Sequence, residues 1–379
     1  MEERLDLAGG AGWWEIWQIV DSLLPTGGFA HSSGLEAALQ LGFIENHGVK
    51  RAELRPSNQP KQSIESMLRQ VLVGVASLQG PSTARVAAAT VWAESPPDKA
   101  AAGAEKHSAA RSALDQWVAA DRQLHATLAT SHVNCKASIA QGQALLRVAR
   151  EMFASECGSG IALFQRLQRQ WAGRARQARR HRHQQAGNAS GNLGSKRRRV
   201  AECEGTDSAE PGDHAVESIA GPFGHLAPAL GYVIGRLWAQ RSNDNGMHST
   251  ARQEAESDAA TAAAAAELAV RVLVFTTTRD AVSATCRLGI VSGALHSMRL
   301  LRALGPLAER WAKTVSEDVM NSFSTPGTAQ EACGVKLSFT RDETSTIKDV
   351  VWASPMQTSP VLEILQGAHD VMYSRVFIS

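Results

Sequence analysis

The segment IESMLRQVLVGV (Ile64–Val75) decides the fold. Ile64, Met67, Leu68, Val71, Leu72 and Val75 recur three and four residues apart, so they form one apolar face of a helix. The same spacing returns on both sides. Upstream, Trp13, Ile16, Trp17, Val20 and Leu24 predict an apolar face on a first helix. Pro25, which lacks a donor and disfavours αR in the residue before it, ends that helix, and Gly27-Gly28 opens a turn. Leu35 to Leu41 reads as helix again. Downstream, Leu114, Trp117, Val118, Leu124 and Leu128 make a third stripe with one polar interruption, Asp121. Ile139 to Val148 makes a fourth. Leu226, Leu230, Val233, Ile234, Leu237 and Trp238 share a face, Leu268 to Phe275 and Val282 to Val291 are apolar and helical, and Leu295 to Trp311 carries Leu300, Leu301, Leu304 and Leu307. A last helix starts with Ser359 as N-cap and Pro360 at its first position, with Val361, Ile364, Leu365 and Ala368 as its buried stripe.

Composition points the same way. The 379 residues are 44% hydrophobic and only 5% aromatic, with two tyrosines, and alanine dominates many stretches. Alanine loses no side-chain entropy in a helix and covers little of a pleated surface. The expectation is an all-α, single-domain helical bundle with enough chain for a large core. The formal net charge of +2 argues against a nucleic-acid coat. The most membrane-like run, Ala259 to Val274, carries Glu267 and Arg271, so no membrane span is expected. The acidic start at Glu2-Glu3 does not resemble a secretory signal, and five scattered cysteines fit reduced thiols in the cytoplasm.

One region breaks the pattern. Residues 166–199 hold eleven Lys or Arg and no Asp or Glu, and an acidic patch follows to about Asp213. Residues 174–216 are read as a basic, low-complexity, disordered insertion between two halves of one domain, 1–173 and 217–379. Polar loops are expected over 241–258 and 321–349.

Signals for chemistry are sparse. The turn Leu24 to Glu36 holds three glycines, His31, Ser32 and Ser33, but no Gly-Lys-Ser/Thr ending of a phosphate loop. It suits a capped helix–helix turn. Neither Cys-x-x-Cys nor His-Glu-x-x-His occurs. His132 and Cys135 are three apart on a helix and offer two ligands, where a held metal wants three or four. Two rival functions follow: a metal-dependent hydrolase using His31, Glu36, His132 and Cys135, or a nucleic-acid binder using the 166–199 run, whose basic clusters at 174–182 and 196–199 have no aromatic rings interleaved.

Four segments carry a resemblance. Asp21 to Glu36, with Pro25, Gly27, Gly28, Phe29, His31, Ser32 and Gly34, resembles the N-terminal signature of the urease accessory protein UreF family, in its plant-like form. The ending His369 to Ser379, with Tyr373, Ser374, Arg375 and Phe377, resembles the family's Tyr-Ser-Arg-Leu-Phe terminus. Gln141 to Arg147 and Thr278 to Gly289, with Arg279 and Asp280, are similar to its inner helices. The likeness covers about 12–170 and 217–379. It implies an all-α homodimer without catalytic residues or a stably held cofactor. Its implied partners are a UreD/UreH-type accessory protein, the GTPase UreG, which binds the GTP, and apo-urease, to which the complex delivers nickel. By the same likeness His31 and Glu36 lie near a partner or dimer surface and Arg375 is a docking contact. Tyr373 and Phe377 are either anchors beside it or tail residues packed on the protein's own core.

Overall fold

The computed structural model describes residues 11–22, 24, 27–44, 62–94, 104–191, 221–244, 251–324, 355–356, 358–372 and 376–377. Eleven α-helices lie among them: α1 Ala11–Val20, α2 Leu35–Gln40, α3 Ile64–Leu78, α4 Gly80–Glu94, α5 Ala104–Leu128, α6 His132–Met152, α7 Ala154–Gly191, α8 Leu226–Asp244, α9 Ala251–Arg287, α10 Gly293–Ser324 and α11 Pro360–Asp370. A 3₁₀ turn spans Gly28–Ala30. The described residues form no strand, and the one extended pairing among them is an isolated bridge from Ile44 to Gln62. The all-α expectation holds.

Helix α4 is the hub, packed against α5, α8, α9 and α10. Twelve of its fifteen residues are buried, so it has no polar face. With α9 it feeds two apolar cores. One gathers α2, α3, α10 and α11, including Leu35, Met67, Leu68, Leu72, Val315 and Leu365. The other gathers α1, α5, α6, α7 and α8, and at its centre Trp117 is stacked between Phe164 at 4.0 Å and Tyr232 at 4.4 Å. Such large flat rings bury the most area per residue and explain why few aromatics suffice. Helix α9 has a stretch long and apolar enough to cross a membrane by composition. Here Ala262, Ala265, Ala266, Val270 and Leu273 on it are buried inside the protein.

The helix faces of α3, α5 and α8 agree with the periodicity, and Asp121 is indeed inside at 0% exposure. Other expectations need correction. On α1 it is Ile16 and Ile19 that are buried, whereas Trp17 is 62% exposed. On α11 the inward face is Leu362, Leu365 and His369, with Val361 and Ile364 outside. A polar residue turned inward by a specific partner is invisible to hydrophobic periodicity. Residues 174–191 of the expected insertion are helical, because α7 runs on to Gly191. Its Ala, Arg and Gln are strong helix formers, and a helix already nucleated at 154–173 extends at little further cost. The remaining 192–216, with Lys196 to Arg199, lie outside the described residues. Likewise α8 and α9 take in 241–244 and 251–258, and α10 continues to Ser324 through Pro306. Pro306 is exposed, so the carbonyl it leaves unpaired can face water.

Candidate functional site

The N-terminal turn and the C-terminal segment meet. Gly34, at φ 81°, takes a left-handed conformation that starts α2, and a Cβ there would come within 3.3 Å of Leu365 and Gln366 on α11. Glycine therefore both sets the turn and lets α11 close on it. Ser33 before it also sits at positive φ, 52°. Two adjoining grooves open at this junction. His31, Ser32, Ser33 and Gly34 face α3, α6 and α11 across the first. Gly28, His31, Gln141, Arg279 and Asp280 line the second.

The turn is clasped to the tail by Glu36. Its carboxylate is 1% exposed and accepts from His369 Nε2 at 2.7 Å, from the backbone N–H of Val376 at 2.6 Å and Phe377 at 3.0 Å, and from Gln40 Nε2 at 3.2 Å. Burial alone would raise this carboxyl, but the two backbone donors and His369 outweigh it and hold Glu36 below the ordinary carboxylate value. Phe377 is buried in the core of α2, α3 and α11, with the Arg287 guanidinium 4.3 Å from its ring centroid. Thus Glu36 is inside and not at a partner surface, and Phe377 packs on its own protein. Around α11, His132 pairs with Asp370 at 2.9 Å and Thr130 donates to Glu363 at 2.8 Å.

Replacing Glu36 by Gln is expected to lower stability by about 2 kcal/mol, because an amide cannot accept from all these donors at once. Urea unfolding measures it. Since the folded carboxyl titrates below the unfolded one, the contribution is whole at neutral pH and fades only as pH falls below about 4.3. The wild type and Glu36→Gln melting curves should therefore converge in acid and stay apart at pH 7.

Arg279 is likewise structural in geometry. It donates to the carbonyl of Val20 at the end of α1 and to Asp280 Oδ1 at 2.8 and 3.0 Å. Burial pushes the Asp280 carboxyl up, against the pull of Arg279. The hydrolase set does not converge: Glu36 is in the clasp, His132 is on Asp370, and Cys135 lies 3.5 Å from His125. Gly27 adopts φ 80° and Gly28 begins the 3₁₀ turn. Pro25, Tyr373, Ser374, Arg375 and the side chain of Phe29 lie outside the described residues.

Sequence reasoning missed a second knot. Asp121 on α5 accepts backbone N–H groups from three consecutive residues ahead of α8: Phe223, Gly224 at 3.0 Å and His225 at 2.8 Å. Burial pushes its carboxyl up, with those three donors pulling against it. His225 is 0% exposed, and desolvation, helped by nearby His125, drops its imidazole to about 3, so it is neutral. The polar interruption in the α5 stripe was the one signal that could have pointed here.

The first helices and the tail that resembled one family in sequence thus form one junction. Comparison with known proteins bears on the same point. A protein named urease accessory protein F from Arabidopsis thaliana is 27% identical, the match covering 100% of this chain and 99% of the relative. Its namesakes in the indica and japonica subspecies of Oryza sativa are 28% identical over 96% of this chain and 84% of theirs. The chain is similar to urease accessory protein F from end to end. No family model and no solved structure matches it. These UreF relatives are named as accessory proteins and not as catalysts, in agreement with the reading that this chain is not an enzyme.

Proposed function

We propose that this chain acts in urease maturation as a non-catalytic accessory protein. The observation that carries the reading is its likeness to UreF relatives along nearly the full chain, both clasped ends included. In this reading a cytoplasmic homodimer binds a UreD/UreH-type protein and the GTPase UreG, and the assembly delivers nickel to apo-urease. The chain's own work is to offer shaped helical surfaces. A scaffold that binds one nucleotide state of the GTPase more tightly than another shifts its population by that difference in affinity. Exposed apolar residues support such a role: Trp14 and Trp17 on α1, Ile364 on α11, and Val371 and Val376 beyond it.

Co-purification with a UreD-type protein and UreG, followed by nickel-dependent activation of apo-urease, tests it. The full chain should be recovered in the complex and activation should depend on it. A chain lacking residues 373–379 should keep most of its helicity, lose the Glu36 clasp and with it partner recovery. Recovery undiminished by that deletion removes the tail from the docking surface, and activation that proceeds equally well without the chain overturns the function.

A further inference from the structure

Three ligand-type side chains from three separate elements converge beside the Asp121 knot. His125 lies near the end of α5, Cys135 in the first turn of α6, and His225 immediately before α8. His125 Nδ1 stands 3.1 Å from His225 Nε2 and 3.5 Å from Cys135 Sγ, and all three atoms lie within 4.8 Å of one another. We propose that His125, Cys135 and His225 form a binding site for one Zn²⁺-type ion.

The spacing suits that ion. Tetrahedral zinc, with Zn–N near 2.05 Å and Zn–S near 2.3 Å, separates two nitrogens by about 3.3 Å and a nitrogen from a sulfur by about 3.5 Å. The 3.1 Å and 3.5 Å edges thus match a tetrahedron with His125 Nδ1 at the shared corner. One thiolate with two imidazoles is a borderline-soft donor set, which favours Zn²⁺ over the oxygen-seeking Mg²⁺ and Ca²⁺. Binding takes the thiolate, so the Cys135 proton leaves to solvent as the S–Zn bond forms.

The surroundings orient each ligand. His225 Nδ1 is 3.1 Å from Ser138 Oγ, which also accepts from the N–H of Leu226. In the tautomer that binds the ion, Nδ1–H donates to Ser138 and the Nε2 lone pair is aimed into the cluster. The ring of Phe223 stacks on His125 at 3.4 Å, nearly parallel at 9°. Asp121 fixes the backbone that carries His225 and is not itself a ligand, because its two oxygens already receive those N–H groups. His125 and Cys135 are only half-buried, so solvent reaches the cluster and a water would supply the fourth ligand.

The site is independent of the maturation role, since its test uses this chain alone. Purified full-length protein, stripped with chelator, is dialysed against Zn²⁺ and the bound metal counted. Co²⁺ is then added as an optical probe. One ion per chain is expected, with a thiolate-to-cobalt absorption band. Cys135→Ala should abolish the band and weaken zinc binding at least about 100-fold, and Ser138→Ala should weaken it about 10-fold while circular dichroism stays native. Both positions are chosen because His225, fully enclosed, is a riskier substitution. A folded wild type that takes up no zinc, or a band and stoichiometry unchanged in Cys135→Ala, overturns the proposal.

Discussion

Asp121→Ala should lower the unfolding free energy by about 4 kcal/mol, among the largest losses that a single substitution in this chain produces. Three backbone N–H groups, those of Phe223, Gly224 and His225, converge on the carboxylate from a segment more than one hundred residues away. Alanine leaves all three donors enclosed and without an acceptor, and each orphaned donor costs about 1–3 kcal/mol. The loss is more than local, because that segment starts α8, which packs along α4 and α6. Urea unfolding of the variant, followed by circular dichroism, measures the shift. Asp121→Asn should fall between the two, since its single carbonyl oxygen can accept from at most two of the donors while its amide faces the third. A variant as stable as the wild type would show that the knot contributes nothing to the fold.

Gly231→Ala should cost about 3 kcal/mol although it adds one methyl group. Helices α4 and α8 cross so closely that a Cβ at position 231 would lie 2.3 Å from the carbonyl oxygen of Thr83, and one at Gly235 would lie 2.7 Å from that of Ala87. Neither neighbour is a flexible side-chain end that could swing aside. Backbone would have to move, and α4 is held on its other sides by α5, α9 and α10. Thr83 Oγ1 also donates to the carbonyl of Ala227 at 3.1 Å, a bond between the two helices that any separation would stretch. Thermal melting checks the cost. Gly173→Ala, inside α7 with no proline beside it and nothing beyond its chain neighbours within 4 Å of the added atom, is the control and should be neutral or slightly stabilising.

The contrast between α3 and α4 explains what was legible. Helix α3 has one wet face and one dry face, so Ile64 to Val75 announces it. Helix α4 is surrounded, so its sequence, GPSTARVAAATVWAE, has no period to read and opens with Gly-Pro, a turn signal. The hub of the bundle was therefore the element hardest to see. The far ends of α7 and α9 were missed for the opposite reason: they are polar, and propensity rather than burial carries them. At the sites, motif resemblance brought Gly34, Glu36, Arg279 and Phe377 into view but assigned Glu36 to the wrong side of the surface. The direction of a side chain depends on partners far along the chain: His369 and Val376 for Glu36, residue 223 for Asp121. Cys135 came into view only beside His132, three residues away, and His125 and His225 escaped notice because no local spacing links positions 125 and 225.

The Glu36 clasp also sets a timetable. Its acceptor and the Val376 donor are 340 residues apart, so at roughly 5–20 residues per second a ribosome needs about 17–70 s to supply the second after the first. For that interval the carboxylate stays hydrated and the pocket for Phe377 stands vacant. The junction of turn and tail is therefore a late, post-nucleation event, and nascent chains halted before residue 376 should present an unlatched α2 to chaperones and proteases.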